Sequence, residues 1–276
     1  MGKPMIGLLK EHAQLVLIAK SQTQAERLYR DVRFMLGTAS SQVFLLLAEE
    51  RTPYGATSPD PLWMMDKLAT MQKLVSGVPW KVLVISPEML MSKILPKNIL
   101  EDEVQFLSKG SHISRDALVQ KLNHAGYTQV TNTEDAGTYS VRGSIVDFFW
   151  PGDSYPVRVD LFGDEIELLY YFDASTQKKI EDLDDCQFGL VKEILLTDQS
   201  VSRAIKHLRD LADDLEYPTS KLKEKIADLS NKIAFFGIES FLPAFYEKFG
   251  NILDLVGNAK ILCEDPESIP EQIMLR

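Results

Sequence analysis

Leu15-Val16-Leu17-Ile18-Ala19 is five unbroken apolar residues, the length of a strand buried on both faces. Immediately after it, from Gln22 to Leu36, apolar residues recur at Ala25, Leu28, Tyr29, Val32 and Met35/Leu36, one stripe of a helix that Gly37 ends. Val43-Phe44-Leu45-Leu46-Leu47 repeats the strand, Leu62 to Val75 the helix, and Val82-Leu83-Val84-Ile85 the strand again. Ser86-Pro87-Glu88 predicts a further helix start, a capping Ser with Pro at the first helical position. Buried strands alternating with helices require a parallel sheet covered on its faces.

The pattern changes after Lys109-Gly110. A short helix is predicted from Ser114 to Ala125, closed by Gly126. Short strands follow at Thr138–Val141, Ser144–Phe149, Val157–Leu161 and Ile166–Tyr171, separated by turn signals at Asp135-Ala136-Gly137, Pro151-Gly152-Asp153 and Gly163-Asp164. This reads as an antiparallel meander carrying a helix. Helical patterns return at Val201–Leu215 and Lys221–Ile233, broken at Tyr217-Pro218, and Ile261-Leu262-Cys263 reads as one last buried strand. The expected organisation is an α/β parallel-sheet domain (1–110 and 199–276) interrupted by a smaller inserted α+β domain (111–198) with an antiparallel sheet.

Composition narrows the function. The 276 residues carry 40 acidic against 30 basic side chains, a net charge of −10. DNA binding draws most of its affinity from Lys and Arg on phosphates, so little or no direct DNA binding is expected. No stretch approaches a membrane span of roughly 20 apolar residues, and a cytoplasmic location is expected. Cys186 and Cys263 stand far apart and read as reduced structural thiols, and the four histidines (His12, His112, His124, His207) are scattered. No metal or cofactor is expected, and no spacing suggests a catalytic triad.

Two longer stretches carry a resemblance. Tyr139-Ser140-Val141-Arg142-Gly143-Ser144-Ile145-Val146-Asp147-Phe148-Phe149 and Pro156-Val157-Arg158-Val159-Asp160-Leu161-Phe162-Gly163-Asp164-Glu165-Ile166 resemble the second domain of the repair protein UvrB and of bacterial transcription-repair coupling factors (the Mfd family). Phe172-Asp173, Thr176-Gln177, Ser114-Arg115-Asp116-Ala117-Leu118, Ala125-Gly126-Tyr127 and the path from Tyr54 through Ser58-Pro59-Asp60 look like the coupling factor in particular. Gly237-Ile238-Glu239 resembles a segment of both families. The resemblance implies an N-terminal UvrB-homology module with a degenerate RecA/helicase-like domain, cut from a longer chain that also carries a translocase and a C-terminal domain.

Three departures from UvrB imply lost catalysis. Before Leu15 only Gly2-Lys3-Pro4 and Gly7-Leu8-Leu9-Lys10 stand where a phosphate-cradling GxxxxGK[ST] loop belongs. Glu264-Asp265-Pro266 reverses the acidic pair of a Walker-type site. The loop from Ala48 to Pro61, with one aromatic, Tyr54, is too short for the DNA-clamping hairpin of UvrB. A non-enzymatic module is therefore expected.

Between Lys121 and Lys178 the only Arg or Lys residues are Arg142 and Arg158, amid nine carboxylates from Thr128 to Asp173. One reading makes them internal salt bridges to neighbouring strands. The resemblance implies another: the positions matching Arg142, Arg158 and Phe162 contact the damage-recognition protein UvrA, and all three match here. Both arginines are then expected on an exposed face with Phe162 beside them. Where UvrB has a further Arg, this chain has Ser140. Of Phe148, Phe149 and Trp150, at least one should be core. Glu165 and Glu167 share a strand face and read as a solvated edge. Recruitment of UvrA is the leading expectation, with the remainder of the longer chain as a second partner. The alternatives are a UvrB-like ATPase that clamps DNA, and an autoinhibitory structural body.

Overall fold

The computed structural model describes residues 13–48, 58–216 and 219–267. The Gly2–Lys10 stretch, Tyr54 with most of its loop, and the Tyr217-Pro218 break lie outside them. In chain order the strands and helices begin with β1 (Leu15–Ile18), α1 (Gln22–Leu36), β2 (Val43–Leu46), α2 (Pro61–Val75), β3 (Val82–Ile85) and α3 (Lys97–Asp102). There follow β4 (Gln105–Ser108), α4 (Arg115–His124), β5 (Thr128–Gln129), β6 (Thr138–Arg142), β7 (Ile145–Phe148), β8 (Val157–Phe162), β9 (Glu165–Phe172), β10 (Lys179–Asp182) and β11 (Asp185–Phe188). The chain closes through α5 (Asp198–Asp214), α6 (Lys223–Ser230), α7 (Leu242–Phe245), α8 (Ile252–Leu255) and β12 (Lys260–Cys263). These elements fall into two compact units, one of residues 1–49, 70–102 and 249–276, the other of 50–69 and 103–248.

The first unit is built on a four-stranded parallel sheet in the order β12-β1-β3-β2. β1 is central, pairing Leu15 with Val82 on one side and with Lys260 on the other. Its four residues are all buried, which is why the run carries no polar alternation. α1 starts where Ser21 accepts a hydrogen bond from the Gln24 N–H. Its Ala25, Leu28 and Val32 pack on Leu17, Val43, Val82 and Val84 of the sheet. The helix expected at Ser86-Pro87-Glu88 is a single 3-10 turn, Pro87–Leu90. The Ser86 hydroxyl does not cap it, because it accepts from the Ala48 N–H instead (3.2 Å). β12 differs from its expected burial: it is an edge strand, with Lys260 and Ile261 exposed.

The second unit holds a six-stranded sheet in the order β10-β9-β8-β7-β6-β5, antiparallel except for the short β5–β6 pair. One face is core: Tyr139, Val146, Phe148, Val157, Val159, Leu161, Ile166 and Leu169 are all buried. α4 belongs to this core through buried Leu118 and Leu122, and the Tyr139 hydroxyl donates to the Asn123 side chain (3.0 Å). Tyr127, Phe148 and Phe188 form an edge-packed aromatic cluster with centroids 5.1–6.4 Å apart. Phe148 and Trp150 are both core, while Phe149 is half-buried. α5 and α6 occupy shorter or shifted spans relative to the helical patterns at 201–215 and 221–233. No described helix is long and apolar enough to cross a membrane.

Candidate protein-docking site

The register of the antiparallel sheet decides which side chains share its outer face. Asp147 lies opposite Ser140 on β6 and opposite Arg158 on β8, and Arg158 lies opposite Tyr170 on β9. Alternation then puts Arg142, Ile145, Asp160 and Phe162 on the same face. Two hairpins end this face. Arg142 pairs with Ile145 across Gly143-Ser144, and Phe162 pairs with Glu165 across Gly163-Asp164. Each two-residue turn opens on a glycine at positive φ, 62° and 63°, the backbone such tight hairpins require. Arg142 and Phe162 are thus presented by the rigid ends of two strands, their Cα atoms ~12 Å apart from strand spacing and rise.

Both arginines converge on one carboxylate. Arg158 grips Asp147 with two bonds, Nε to Oδ1 at 2.7 Å and Nη2 to Oδ2 at 2.8 Å. Arg142 reaches the same Oδ2 through its Nη2 at 2.7 Å. Both guanidinium groups also donate to Gln177 Oε1, Arg158 at 2.7 Å and Arg142 at 3.3 Å. The three residues differ sharply in exposure. Asp147 is 1% exposed and Arg158 9%, whereas the Arg142 side chain is 44% exposed. The Arg158 guanidinium carbon also lies 4.3 Å from the centre of the buried Phe172 ring. Its hydrogen bond to Asp147 raises its already high pKa against the opposing effect of burial. Phe162 projects into solvent, 76% exposed.

The internal salt bridges to a neighbouring strand are therefore present, and they are shared by both arginines. Arg142 and Phe162 occupy the surface, but Arg158 does not, because Asp147, Gln177 and Phe172 enclose it. Ser140 is buried opposite Asp147 and its hydroxyl accepts from Thr133 (3.0 Å). Glu165 and Glu167 are exposed on β9.

Three neighbours were not picked out by sequence reasoning. Asp147 had a signal: a lone carboxylate in the apolar strand Ile145-Val146-Asp147-Phe148, at an alternate position facing away from Val146 and Phe148. Gln177 had none beyond its place in Thr176-Gln177, since the turn geometry that aims it is not encoded by periodicity. Arg115 lies outside the acidic stretch in sequence, yet its Nη1 donates to the Gly143 carbonyl at the Arg142 hairpin (3.3 Å).

Elsewhere in the second unit, two of the quoted motifs meet. The Ser58 hydroxyl donates to Glu239 Oε2 (3.0 Å) and accepts from the Gly237 N–H (2.8 Å), with Gly237 at φ 81°. Both motifs line an apolar cavity of about 700 Å³, with Met64, Met65, Ile194 and Phe236 among its walls. Among the described residues no group of His, Cys, Asp or Glu is arranged to hold a metal.

A family model described as the UvrB interaction domain matches residues 106–190, the stretch that contains every residue of the shared carboxylate cluster. The chain is 35% identical over 239 residues to the transcription-repair-coupling factor of Myxococcus xanthus, a match covering 85% of this chain and 20% of that protein. The transcription-repair-coupling factor of Escherichia coli K12 is 32% identical over 179 residues, 64% of this chain and 15% of that protein. The chain belongs to the transcription-repair-coupling factor family. It spans about a fifth of the length of the coupling factors it matches. The matched residues 106–190 hold the six-stranded sheet with α4, β11 and most of β4.

Proposed function

We propose that this chain is a non-catalytic docking module of transcription-coupled nucleotide excision repair that recruits UvrA through the face carrying Arg142, Arg158 and Phe162. The observation that carries the reading is an exposed guanidinium and an exposed phenyl ring on one face of one sheet, inside the stretch matched as UvrB interaction domain. Arg and aromatic side chains are the residues most often dominating protein interfaces. An exposed Phe on a hairpin end adds nothing to the fold of the module, and a partner pocket gives it a use. The non-catalytic part rests on the sequence: its one Gly-Lys pair, Gly2-Lys3, is followed by Pro4, so no GxxxxGK[ST] loop stands in it.

Titration of purified UvrA against the chain tests the proposal. Phe162→Ala removes an exposed ring and should keep the parent melting temperature. Arg142→Ala also removes a bond to buried Asp147, but the Arg158 fork on that carboxylate remains, so it should stay folded with at most a small fall in melting temperature. Truncating one member of an interfacial charge pair costs about 2–5 kcal/mol, and a tenfold or greater loss of UvrA affinity is expected for Arg142→Ala. Phe162→Ala should lose affinity to a similar degree. Parent-like binding by both folded variants would refute the assignment.

A further inference from the structure

We propose that Arg158 is a positioning residue, and that with Asp147 and Gln177 it forms a splint whose one presented cation is Arg142. The inference rests on the UvrA-docking reading and divides the labour within that site.

Two positive charges this close, on β6 and β8 with β7 between them, repel unless something is placed between them. Here two acceptors are. Asp147 offers one oxygen to Arg158 Nε and the other to the Nη2 of both arginines. Gln177 Oε1 closes the arrangement from the other side. The cluster therefore holds two guanidinium groups and one carboxylate, a net charge of +1. Arg158 has no means of reaching a partner. It is buried, gripped in a fork by Asp147, stacked near Phe172 and beside the Tyr170 hydroxyl. Arg142 uses only its Nη2 in the cluster, and among the described residues its Nε and Nη1 have no partner. Those free N–H groups are left to donate to an acidic partner as charge-assisted hydrogen bonds.

Gln177 is held for this role at some conformational expense. Its φ is 59°, a left-handed conformation that non-glycine residues adopt uncommonly. The turn that enforces it is tied together by Asp173, which accepts from the Ser175 hydroxyl (2.7 Å), the Thr176 N–H (2.6 Å) and the Thr176 hydroxyl (2.8 Å). The Gln177 amide nitrogen is anchored on the Ala174 carbonyl (2.8 Å), so the carbonyl oxygen can only face the arginines. Strain of this kind persists where the surroundings over-determine it, and such places cluster at functional sites. The partner surface that fits is one acidic side chain opposite Arg142, next to an apolar pocket for Phe162; a second carboxylate for Arg158 would find nothing to meet.

A double-mutant cycle separates a contact from a splint. UvrA affinity is measured for the parent chain, Arg142→Ala, Arg158→Ala, Gln177→Ala, and the two doubles that combine Arg142→Ala with each of the others. Arg158→Ala and Gln177→Ala should each weaken binding, the first by about tenfold and the second by severalfold. In the Arg142→Ala background each should change affinity by less than twofold, because the group they position is gone. Global destabilisation would lower affinity equally in both backgrounds, so the coupling reports positioning and not mere folding. If Arg158→Ala fails to fold, the Gln177→Ala arm alone decides, since Gln177 lies on a surface turn. Equal losses in both backgrounds would overturn the splint, leaving the docking reading intact. A parent chain that does not bind UvrA, or an Arg142→Ala variant that binds like the parent, would sink both.

Discussion

Asp173 shows how much of the site depends on one small turn. Three donors converge on its carboxylate, the Thr176 N–H foremost, and hold its pKa down from 3.8 to about 2. A lowered carboxyl pKa means that the ionised form is bound more tightly in the folded turn. Its support for the turn is therefore complete above the ordinary range near 4 and is withdrawn as pH falls through about 2. Titration followed by carbon NMR should give the Asp173 carboxyl a midpoint near 2, with the Gln177 side-chain amide shifting in the same step. A midpoint near 4 would mean that the turn is not closed in solution. None of this was legible in Phe172-Asp173 and Thr176-Gln177 as letters. The residues were noticed, but hydrogen bonds that aim a side chain backwards across a turn leave no periodic trace. The arginines were easier: two cations in an acidic stretch demand partners. What the stretch could not reveal was that a single buried carboxylate serves both, because that follows from cross-strand register.

At the scale of elements, the runs that are buried on both faces declared themselves. β1, β2 and β3 stand where the apolar runs stand, since a parallel strand covered on both faces has no solvent side to mark with polar residues. The strands that escaped are polar edges. β10 reads Lys179-Ile180-Glu181-Asp182, wholly exposed, and belongs to the sheet only by hydrogen bonding to β9. β4 and β11 form a separate pair whose outward residues, such as Phe106, gave no alternation to read. Ser86 misled because its hydroxyl is turned to the Ala48 N–H and makes no bond to the turn that follows. Ser58 is the converse, a loop residue whose contribution is structural. It clasps Gly237 and Glu239, about 180 residues away in sequence. Ser58→Ala leaves the partly buried Gly237 N–H without its acceptor, which should cost about 1–2 kcal/mol. A urea titration should show a lower midpoint with an unchanged slope. An unaltered midpoint would mean that water replaces the hydroxyl without loss.

For the whole molecule, the proposed non-catalytic reading and the net charge make two predictions. A ligand that binds only the folded state raises its melting temperature by mass action. Millimolar Mg-ATP should leave the melting temperature of this chain unchanged, and a saturable rise would contradict the non-catalytic reading. With a net charge of −10, the chain should also give no gel shift with duplex DNA near physiological salt.

The pairing of β1 with β12 has a consequence in time. On a ribosome adding ~5–20 residues per second, β12 emerges on the order of 10–50 s after the strand it must join. For all of that interval β1 lacks β12, gaining only β3 on its other side partway through, while the six-stranded sheet has all its strands in hand as soon as residue 182 is out. The six-stranded sheet can therefore mature while the parallel sheet still waits for its last strand. Expression of the chain stopped at residue 258 should consequently yield a folded Arg142–Asp147–Arg158 cluster on a body whose first strand is left open to other chains, and the product should aggregate through that edge.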